Sequence, residues 1–150
     1  MTDKPQVTVV CGPPGSGKST YVKERAKPGD LIVDLDDIWQ ALSGQPYYDK
    51  PEGLLTFVWA ARDGMMLRLQ EPSAIYRAWI VSMGVTASVR QGYVDDYNAT
   101  IIMLDVHKGE CLNRIAKDSR RADRAEAWTE IVDRWFKNYQ PRDGDIMVKF

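Results

Sequence analysis

Two adjoining segments, Val7-Thr-Val-Val-Cys11 and Gly12-Pro-Pro-Gly-Ser-Gly-Lys-Ser19, decide how this chain folds. The first is short, β-branched and almost continuously apolar, which predicts a buried parallel strand. The second fits the pattern GxxxxGK(S/T), in which glycines at positive φ let successive backbone N–H groups converge on phosphate oxygens. A helix should follow to about Ala26 and end at Pro28-Gly29, and its N-terminal dipole favours an anion. The two segments therefore predict a phosphate-binding loop between a strand and a helix.

The residues of this loop have distinct expected roles toward a nucleoside triphosphate. Lys18 reaches the β- and γ-phosphates and is a catalytic candidate, Ser19 places its hydroxyl on Mg²⁺, and Thr20 contacts the α-phosphate. The predicted nucleotide-binding residues are Gly12, Pro13, Pro14, Gly15, Ser16, Gly17, Lys18, Ser19 and Thr20. The sequence contains no convincing NKxD-type guanine-binding motif, which favours ATP over GTP.

Strands and helices alternate along the rest of the chain. Further strands are predicted at 31–34, 75–83, 99–104 and 146–150, and helices at 36–42, 54–70, 88–97, 108–117 and 128–139. The segment 44–53 is rich in turn-forming residues and is expected to be a loop, in which Tyr47 and Tyr48 are candidates for shaping a second substrate site. This alternation predicts an α/β fold with a five-stranded parallel sheet, helices on both of its faces and a single domain over 1–150.

The composition excludes several classes of protein. The chain has 150 residues, of which 44% are hydrophobic and 27% charged, as expected of one globular domain. Its 20 basic and 21 acidic residues give a net charge of −1, which argues against a protein that coats duplex nucleic acid. Cys11 and Cys111 fit no zinc-binding spacing. No segment approaches the length of a membrane span and the N-terminus lacks a signal sequence, so a cytoplasmic protein without a membrane partner is expected.

Three acidic residues, Asp34, Asp36 and Asp37, follow the second predicted strand. Ligands bind at the carboxyl ends of parallel strands, where a carboxylate can support Mg²⁺ or accept a proton from an attacking hydroxyl. Asp36 is the candidate general base, and Asp34 a candidate metal-site residue with Ser19. Alternatively, Asp36 or Asp37 simply caps the next helix. A phosphate acceptor is already ionised near neutral pH and needs no base, so an aspartate here favours transfer to a hydroxyl.

A basic segment precedes the last long helix. Between 114 and 124, five basic residues face two acidic ones, a local net charge of +3. Guanidinium groups on a mobile lid could neutralise a transferring phosphoryl group and exclude water. We expect such a lid at about 114–125, with Arg114 and Arg120 or Arg121 as its catalytic arginines. The alternative is a solvated helix end with local ion pairs.

Three blocks together resemble the P-loop kinase superfamily: CGPPGSGKST at 11–20, VDLDDIW at 33–39 and IIMLDVHKGECLNRIAKDSRR at 101–121. More narrowly, they resemble phage-type 5′-polynucleotide kinase domains and small phage AAA-family ATPases. The resemblance implies a three-layer α/β/α P-loop NTPase fold with a small basic helical lid, ATP and Mg²⁺ as cofactors, and Asp36 as the base for a 5′-hydroxyl. A phage-encoded protein would act in the host cytoplasm.

Two features depart from that family pattern. The third strand ends in Ile80-Val-Ser-Met-Gly84 without an acidic residue, and Trp39 stands where polynucleotide kinases often carry an acceptor-binding arginine. Trp39 could stack on a base or simply pack. The leading hypothesis is a kinase of a hydroxyl acceptor, including a single-stranded nucleic-acid 5′ end. The alternatives are a nucleotide or small-metabolite kinase, and an ATPase or nucleotide-binding module that drives a partner protein.

Overall fold

The strands of the sheet all run parallel, in the order β2-β3-β1-β4-β5. The computed structural model describes residues 3–150. Val9, in the central strand, pairs with Ile80 on one side and Ile101 on the other. The strands are β1 (Gln6–Cys11), β2 (Leu31–Val33), β3 (Arg77–Ser82), β4 (Thr100–Leu104) and β5 (Ile146–Val148). Since β3 and β4 flank β1, the chain reverses its direction of winding at the end of β1.

Helices separate the strands along the chain. They are α1 (Lys18–Arg25), α2 (Leu35–Ser43), α3 (Leu55–Arg68), α4 (Ala87–Tyr97), α5 (Lys108–Lys117) and α6 (Ala125–Asn138). Short 3-10 turns at Glu52–Leu54 and Ala122–Arg124 lead directly into α3 and α6. Within residues 3–150, no helix has the length and apolar character needed to cross a membrane.

The core has two layers because alternate residues of β1 face opposite sides of the sheet. Val9 packs with Met66 of α3, whereas Val10 packs with Val22 of α1 and Ile115 of α5. Helix α6 contributes Trp135 to the first layer and Val132 to the second, and so contacts both layers of the core. The predicted three-layer α/β/α arrangement with a five-stranded parallel sheet is therefore confirmed.

Element boundaries differ slightly from the expectations. Strand β3 spans 77–82 rather than 75–83, and α6 begins at Ala125, three residues before the predicted start, because the turn at Ala122–Arg124 continues into it. Helix α2 begins at Leu35 because Asp34 is its N-cap: the Asp34 Oδ1 atom accepts the Asp36 backbone N–H at 3.1 Å. The alternative that Asp36 or Asp37 caps this helix is wrong, since both lie in its first turn.

A fully buried ion pair joins the region after β3 to the turn before β5. The Arg90 Nε atom lies 2.7 Å from Asp145 Oδ2, and the two side chains are 0% and 1% exposed. Arg90 also donates to the carbonyl groups of Gly84, Val85 and Gln140. Since a buried guanidinium is tolerated only when it is paired and hydrogen-bonded, this set of contacts is structural.

Candidate functional site

The loop Gly12–Ser19 connects the end of β1 to α1, at the point where the winding of the sheet reverses. Gly15 and Gly17 have φ values of +81° and +91°, which L-residues with side chains rarely adopt. A Cβ atom on Gly15 would lie 2.5 Å from the Cys111 carbonyl oxygen, and one on Gly17 would lie 2.8 Å from the Phe150 ring. Gly15 is therefore required by conformation and by space, and Gly17 by its conformation, and the loop opens the N-terminus of α1 as predicted.

The Lys18 ammonium group is turned into this loop. Its Nζ atom donates to the carbonyl oxygens of Gly12 at 2.8 Å and Pro13 at 2.9 Å. Burial lowers the pKa of Lys18 to about 8, although the charges of Asp36 and Asp34 oppose that shift. A phosphate group in the loop would supply the anionic partner that the carbonyl groups only approximate.

Ser16 supplies independent support for a ligand in the loop. Its side chain is fully buried, and its Oγ atom has no hydrogen-bond partner. Buried hydroxyl groups are nearly always paired, so an orphaned one at the centre of a glycine-rich turn fits a site for phosphate oxygens. The residues present thus fit the triphosphate of ATP.

Ser19 and Asp34 lie next to one another, as a magnesium site requires. The Ser19 Oγ atom donates to Asp34 Oδ2 at 2.6 Å, so Asp34 both caps α2 and contacts the loop. Asp34 is 2% exposed, and burial raises its pKa although the hydrogen bond from Ser19 lowers it. A hydroxyl and a carboxylate oxygen are ligands that suit Mg²⁺, which completes its octahedron with phosphate oxygens and water. The pair fits Mg²⁺.

Asp36 and Asp37 differ in their contacts. The Asp36 Oδ1 atom lies 2.9 Å from the Nζ atom of Lys50, and its side chain is 31% exposed. Within residues 3–150 the Oδ2 atom of Asp36 accepts no hydrogen bond, and the contact with Lys50 is made through Oδ1. Asp37 has a longer contact, 3.9 Å, with Lys23 of α1. Asp36 therefore keeps one carboxylate oxygen available at the end of β2.

The basic segment folds against the loop 44–53 through alternating rings and guanidinium groups. The guanidinium carbon of Arg120 lies 5.1 Å from the ring centre of Tyr47 and 5.3 Å from that of Tyr48. That of Arg121 lies 4.9 Å from the Tyr48 ring and 5.2 Å from the Trp128 ring. We call these five residues the lid stack. Such cation–π contacts hold the basic segment against the loop 44–53.

Asp118 anchors both arginines of the lid stack. Its carboxylate accepts from Arg120 Nη2 at 2.9 Å and from Arg121 Nε at 3.0 Å. The hydrogen bond from Arg120 is the largest of the effects that lower the pKa of Asp118 to about 2. The basic segment is thus an ordered turn with local ion pairs, as the alternative of a helix end with such pairs expected, and its role as a lid stays a prediction.

Arg114 lies within α5 and has a different environment from the other two arginines. Its Nη1 atom donates to the Ser16 carbonyl at 3.2 Å, Nη2 to the Phe150 carbonyl at 3.0 Å, and Nε to Glu110 Oε1 at 3.0 Å. Its guanidinium group therefore braces the backbone of the phosphate-binding loop. A role for Arg114 at the reacting phosphate stays a prediction.

The fold brings the predicted residues to one end of the sheet, with two qualifications. Thr20 is exposed at the start of α1, and Trp39 is only 6% exposed, so Trp39 packs rather than offering a free face to a base. Sequence reasoning missed Lys50, whose Nζ atom contacts Asp36 and lies 6.0 Å from the Trp39 ring centre. Its only signal was its place in a turn-rich loop after the acidic residues.

The fold and the loop place the chain in the P-loop kinase superfamily. More narrowly, the chain belongs to the AAA domain family, whose model matches residues 7–142. No curated protein matches the sequence.

Solved structures share the fold at low sequence identity. A gluconokinase from Sinorhizobium meliloti 1021 is 14% identical with a TM-score of 0.63, and the match covers 99% of this chain and 84% of that one. A shikimate kinase from Bacteroides thetaiotaomicron is 14% identical with a TM-score of 0.55, over 96% and 86% of the two chains. A chain of the Pnkp1/Rnl/Hen1 RNA repair complex is 16% identical with a TM-score of 0.55, over 93% of this chain and 48% of that one.

Proposed function

We propose that this protein is an ATP- and Mg²⁺-dependent kinase that transfers the γ-phosphoryl group to a hydroxyl acceptor. The observation that supports it most is that Asp34 and Asp36, which follow β2, make different contacts. Asp34 caps α2 and contacts Ser19, which leaves Asp36 with one unengaged carboxylate oxygen beside the phosphate-binding loop. A carboxylate oxygen in this position can accept the proton of an acceptor hydroxyl.

The proposed reaction uses the chain's own residues in defined roles. The acceptor O–H bond breaks as the new O–P bond forms, and the proton moves to the Oδ2 atom of Asp36. The bond between the γ-phosphorus and the bridging oxygen breaks, so ADP leaves with that electron pair. Lys18 and a lid arginine, Arg120 or Arg121, stabilise the charge on the transferring group. Mg²⁺, held by Ser19 and Asp34, would add neutralisation of phosphate charge.

The kinase neighbours favour phosphoryl transfer but act on different acceptors, so the acceptor class is left to experiment. The protein is incubated with γ-labelled ATP and Mg²⁺ against a 5′-hydroxyl oligonucleotide, a ribonucleoside, a nucleoside monophosphate, gluconate and shikimate. We expect label to move to one hydroxyl acceptor. We also expect Asp36→Asn to lower kcat by roughly a hundredfold or more, the usual contribution of a general base.

Asp63→Asn is the matched control, because it makes the same change at a side chain on α3 that is 70% exposed. It should retain wild-type transfer. Release of inorganic phosphate without transfer to any acceptor, unaffected by Asp36→Asn, would contradict the proposal and support an ATPase that drives a partner protein.

A further inference from the structure

Tyr47, in the loop between α2 and α3, carries a buried hydroxyl group that no protein atom satisfies. Among residues 3–150, two buried side-chain polar atoms lack a hydrogen-bond partner, Ser16 Oγ and Tyr47 Oη. Ser16 belongs to the phosphate-binding loop, so its orphaned hydroxyl has a ready explanation in phosphate oxygens. Tyr47 lies outside that loop and needs another one, because buried polar groups in proteins are nearly always paired.

The hydroxyl of Tyr47 lies among the acidic residues at the end of β2. Burial raises the pKa of Tyr47 most, and the negative charges of Asp34, Asp37 and Asp36 raise it further. The Asp37 carboxylate lies near the hydroxyl and also raises its pKa as a weak acceptor, but no protein atom completes a well-formed hydrogen bond with Tyr47 Oη. A hydroxyl in this environment stays protonated and is a hydrogen-bond donor, with the candidate base as one of its neighbours.

The ring of Tyr47 is held in place by the lid stack, so the direction of its hydroxyl is fixed. The Arg120 guanidinium carbon lies 5.1 Å from the Tyr47 ring centre, and the Tyr48 ring packs against it at 4.7 Å in an edge-on arrangement. Asp118 in turn holds Arg120 with two hydrogen bonds. The Tyr47 hydroxyl is a buried, unpaired donor on a ring that neighbouring side chains hold in place, so it is preorganised for a ligand and does not rotate out to solvent.

Resting on the proposed function, we propose that Tyr47 is an acceptor-site residue whose hydroxyl donates a hydrogen bond to an oxygen beside the reacting hydroxyl of the acceptor. The Oδ2 atom of Asp36 accepts a hydrogen bond from the acceptor, whereas the Tyr47 hydroxyl donates a hydrogen bond to it. A molecule that satisfies both presents a hydroxyl donor next to a second oxygen with a free lone pair. Sugars and other polyhydroxy compounds, including the ribose of a nucleic-acid end, have that chemistry, whereas an anionic group directly at this point would face three carboxylates.

The test is Tyr47→Phe, which deletes the hydroxyl and keeps the ring on which Arg120 packs. With the acceptor that the wild type phosphorylates, the KM for the acceptor should rise about fivefold to tenfold, the effect of one lost hydrogen bond. The KM for ATP should stay within about twofold, because the phosphate-binding loop is untouched. Tyr76→Phe, at a tyrosine that is 71% exposed just before β3, is the control and should leave both constants unchanged.

Thermal melting of the free protein gives a second readout that needs no acceptor. Since the Tyr47 hydroxyl has no partner to lose, Tyr47→Phe should melt at or above the wild-type temperature. A fall of about 2–4 °C would mean that the hydroxyl is bonded within the protein and would overturn the inference. If the wild type transfers phosphate and Tyr47→Phe has an unchanged KM for the acceptor, this inference alone is overturned. If the wild type transfers phosphate to no acceptor, the proposed function fails and this inference fails with it.

Discussion

Nucleotide binding should take up a proton at alkaline pH, because Lys18 sits in a site that disfavours its charge. Burial lowers the pKa of Lys18 from an ordinary 10.5 to about 8 in the free protein. Triphosphate oxygens beside the ammonium group would favour the charged form and return its pKa to at least the ordinary value. Between those two values the free protein carries a neutral lysine and the complex a charged one.

The size of the proton uptake follows from the difference between the pKa values of Lys18 in the free protein and in the complex. At pH 9, about nine-tenths of the Lys18 side chains would be neutral in the free protein and almost none in the complex. Nucleotide binding therefore takes up about 0.9 proton at pH 9, and by the same calculation about 0.1 proton at pH 7. Affinity therefore falls as the pH rises, by about tenfold between pH 7 and pH 9. Excess Mg²⁺ keeps the nucleotide in one ionisation state over this range, because its terminal phosphate already ionises near pH 6.

Isothermal titration calorimetry measures this uptake directly. ATP is titrated into the protein at pH 7 and pH 9 in buffers of different ionisation enthalpy, and the slope of the observed heat against that enthalpy is the number of protons taken up. Lys18→Arg is the control, since an arginine stays charged and any binding that remains should lack the pH-9 uptake. Tight binding by the wild type with less than about 0.2 proton taken up at pH 9 would refute the reasoning.

Three further predictions concern the framework of the site. Asp145→Ala should lower the free energy of unfolding, measured by urea denaturation, by roughly 3–5 kcal/mol because it leaves Arg90 buried and unpaired. Adding Arg90→Met to that variant should recover much of the lost stability. Equal stability of the Asp145→Ala variant and the wild type would contradict the structural role of this ion pair. Gly15→Ala should abolish ATP binding in calorimetry, since the added Cβ atom meets the Cys111 carbonyl at 2.5 Å, and undiminished affinity would show that the loop is placed wrongly. The pKa of Asp118 is depressed to about 2, so its ion pairs should stabilise the lid above the ordinary value of 3.8 and be lost only as the pH falls toward 2. In a carboxyl-carbon NMR titration Asp118 should still be ionised at pH 3, and half-protonation near 3.8 would argue against those pairs.

The sheet and the phosphate-binding loop were predictable because their signals are local. An apolar run followed by a glycine-rich turn specifies a strand, a positive-φ loop and a helix within about fifteen residues, as Val7–Ser19 shows. The acidic cluster after β2 was also found in this way. The sequence did not predict which of these residues caps α2, because Asp34, Asp36 and Asp37 have the same chemistry and only the exact start of α2 distinguishes them.

The covering parts of the site were not predictable because their partners are distant in sequence and their backbone is irregular. Tyr48 has a φ of +71°, which is uncommon for a residue with a side chain and has no sequence signal of its own here. That conformation helps to bring the loop to Arg121 and Trp128, which lie far along the chain. Arg114 likewise contacts the Phe150 carbonyl 36 residues away. Periodicity and motif spacing do not encode such contacts.

The lid stack has a consequence for the order of events during turnover. The loop that carries Tyr48 and the segment that carries Arg120 and Arg121 rest on each other, so a ligand that contacts either segment changes the contacts of both. If both ligands bind more tightly to the interlocked arrangement, each raises the affinity of the other by the same factor, since linkage between two binding equilibria is reciprocal. For the proposed kinase, the release of ADP and of the phosphorylated product would then be coupled as well, and opening of the lid stack would be a candidate for the slowest step of the cycle.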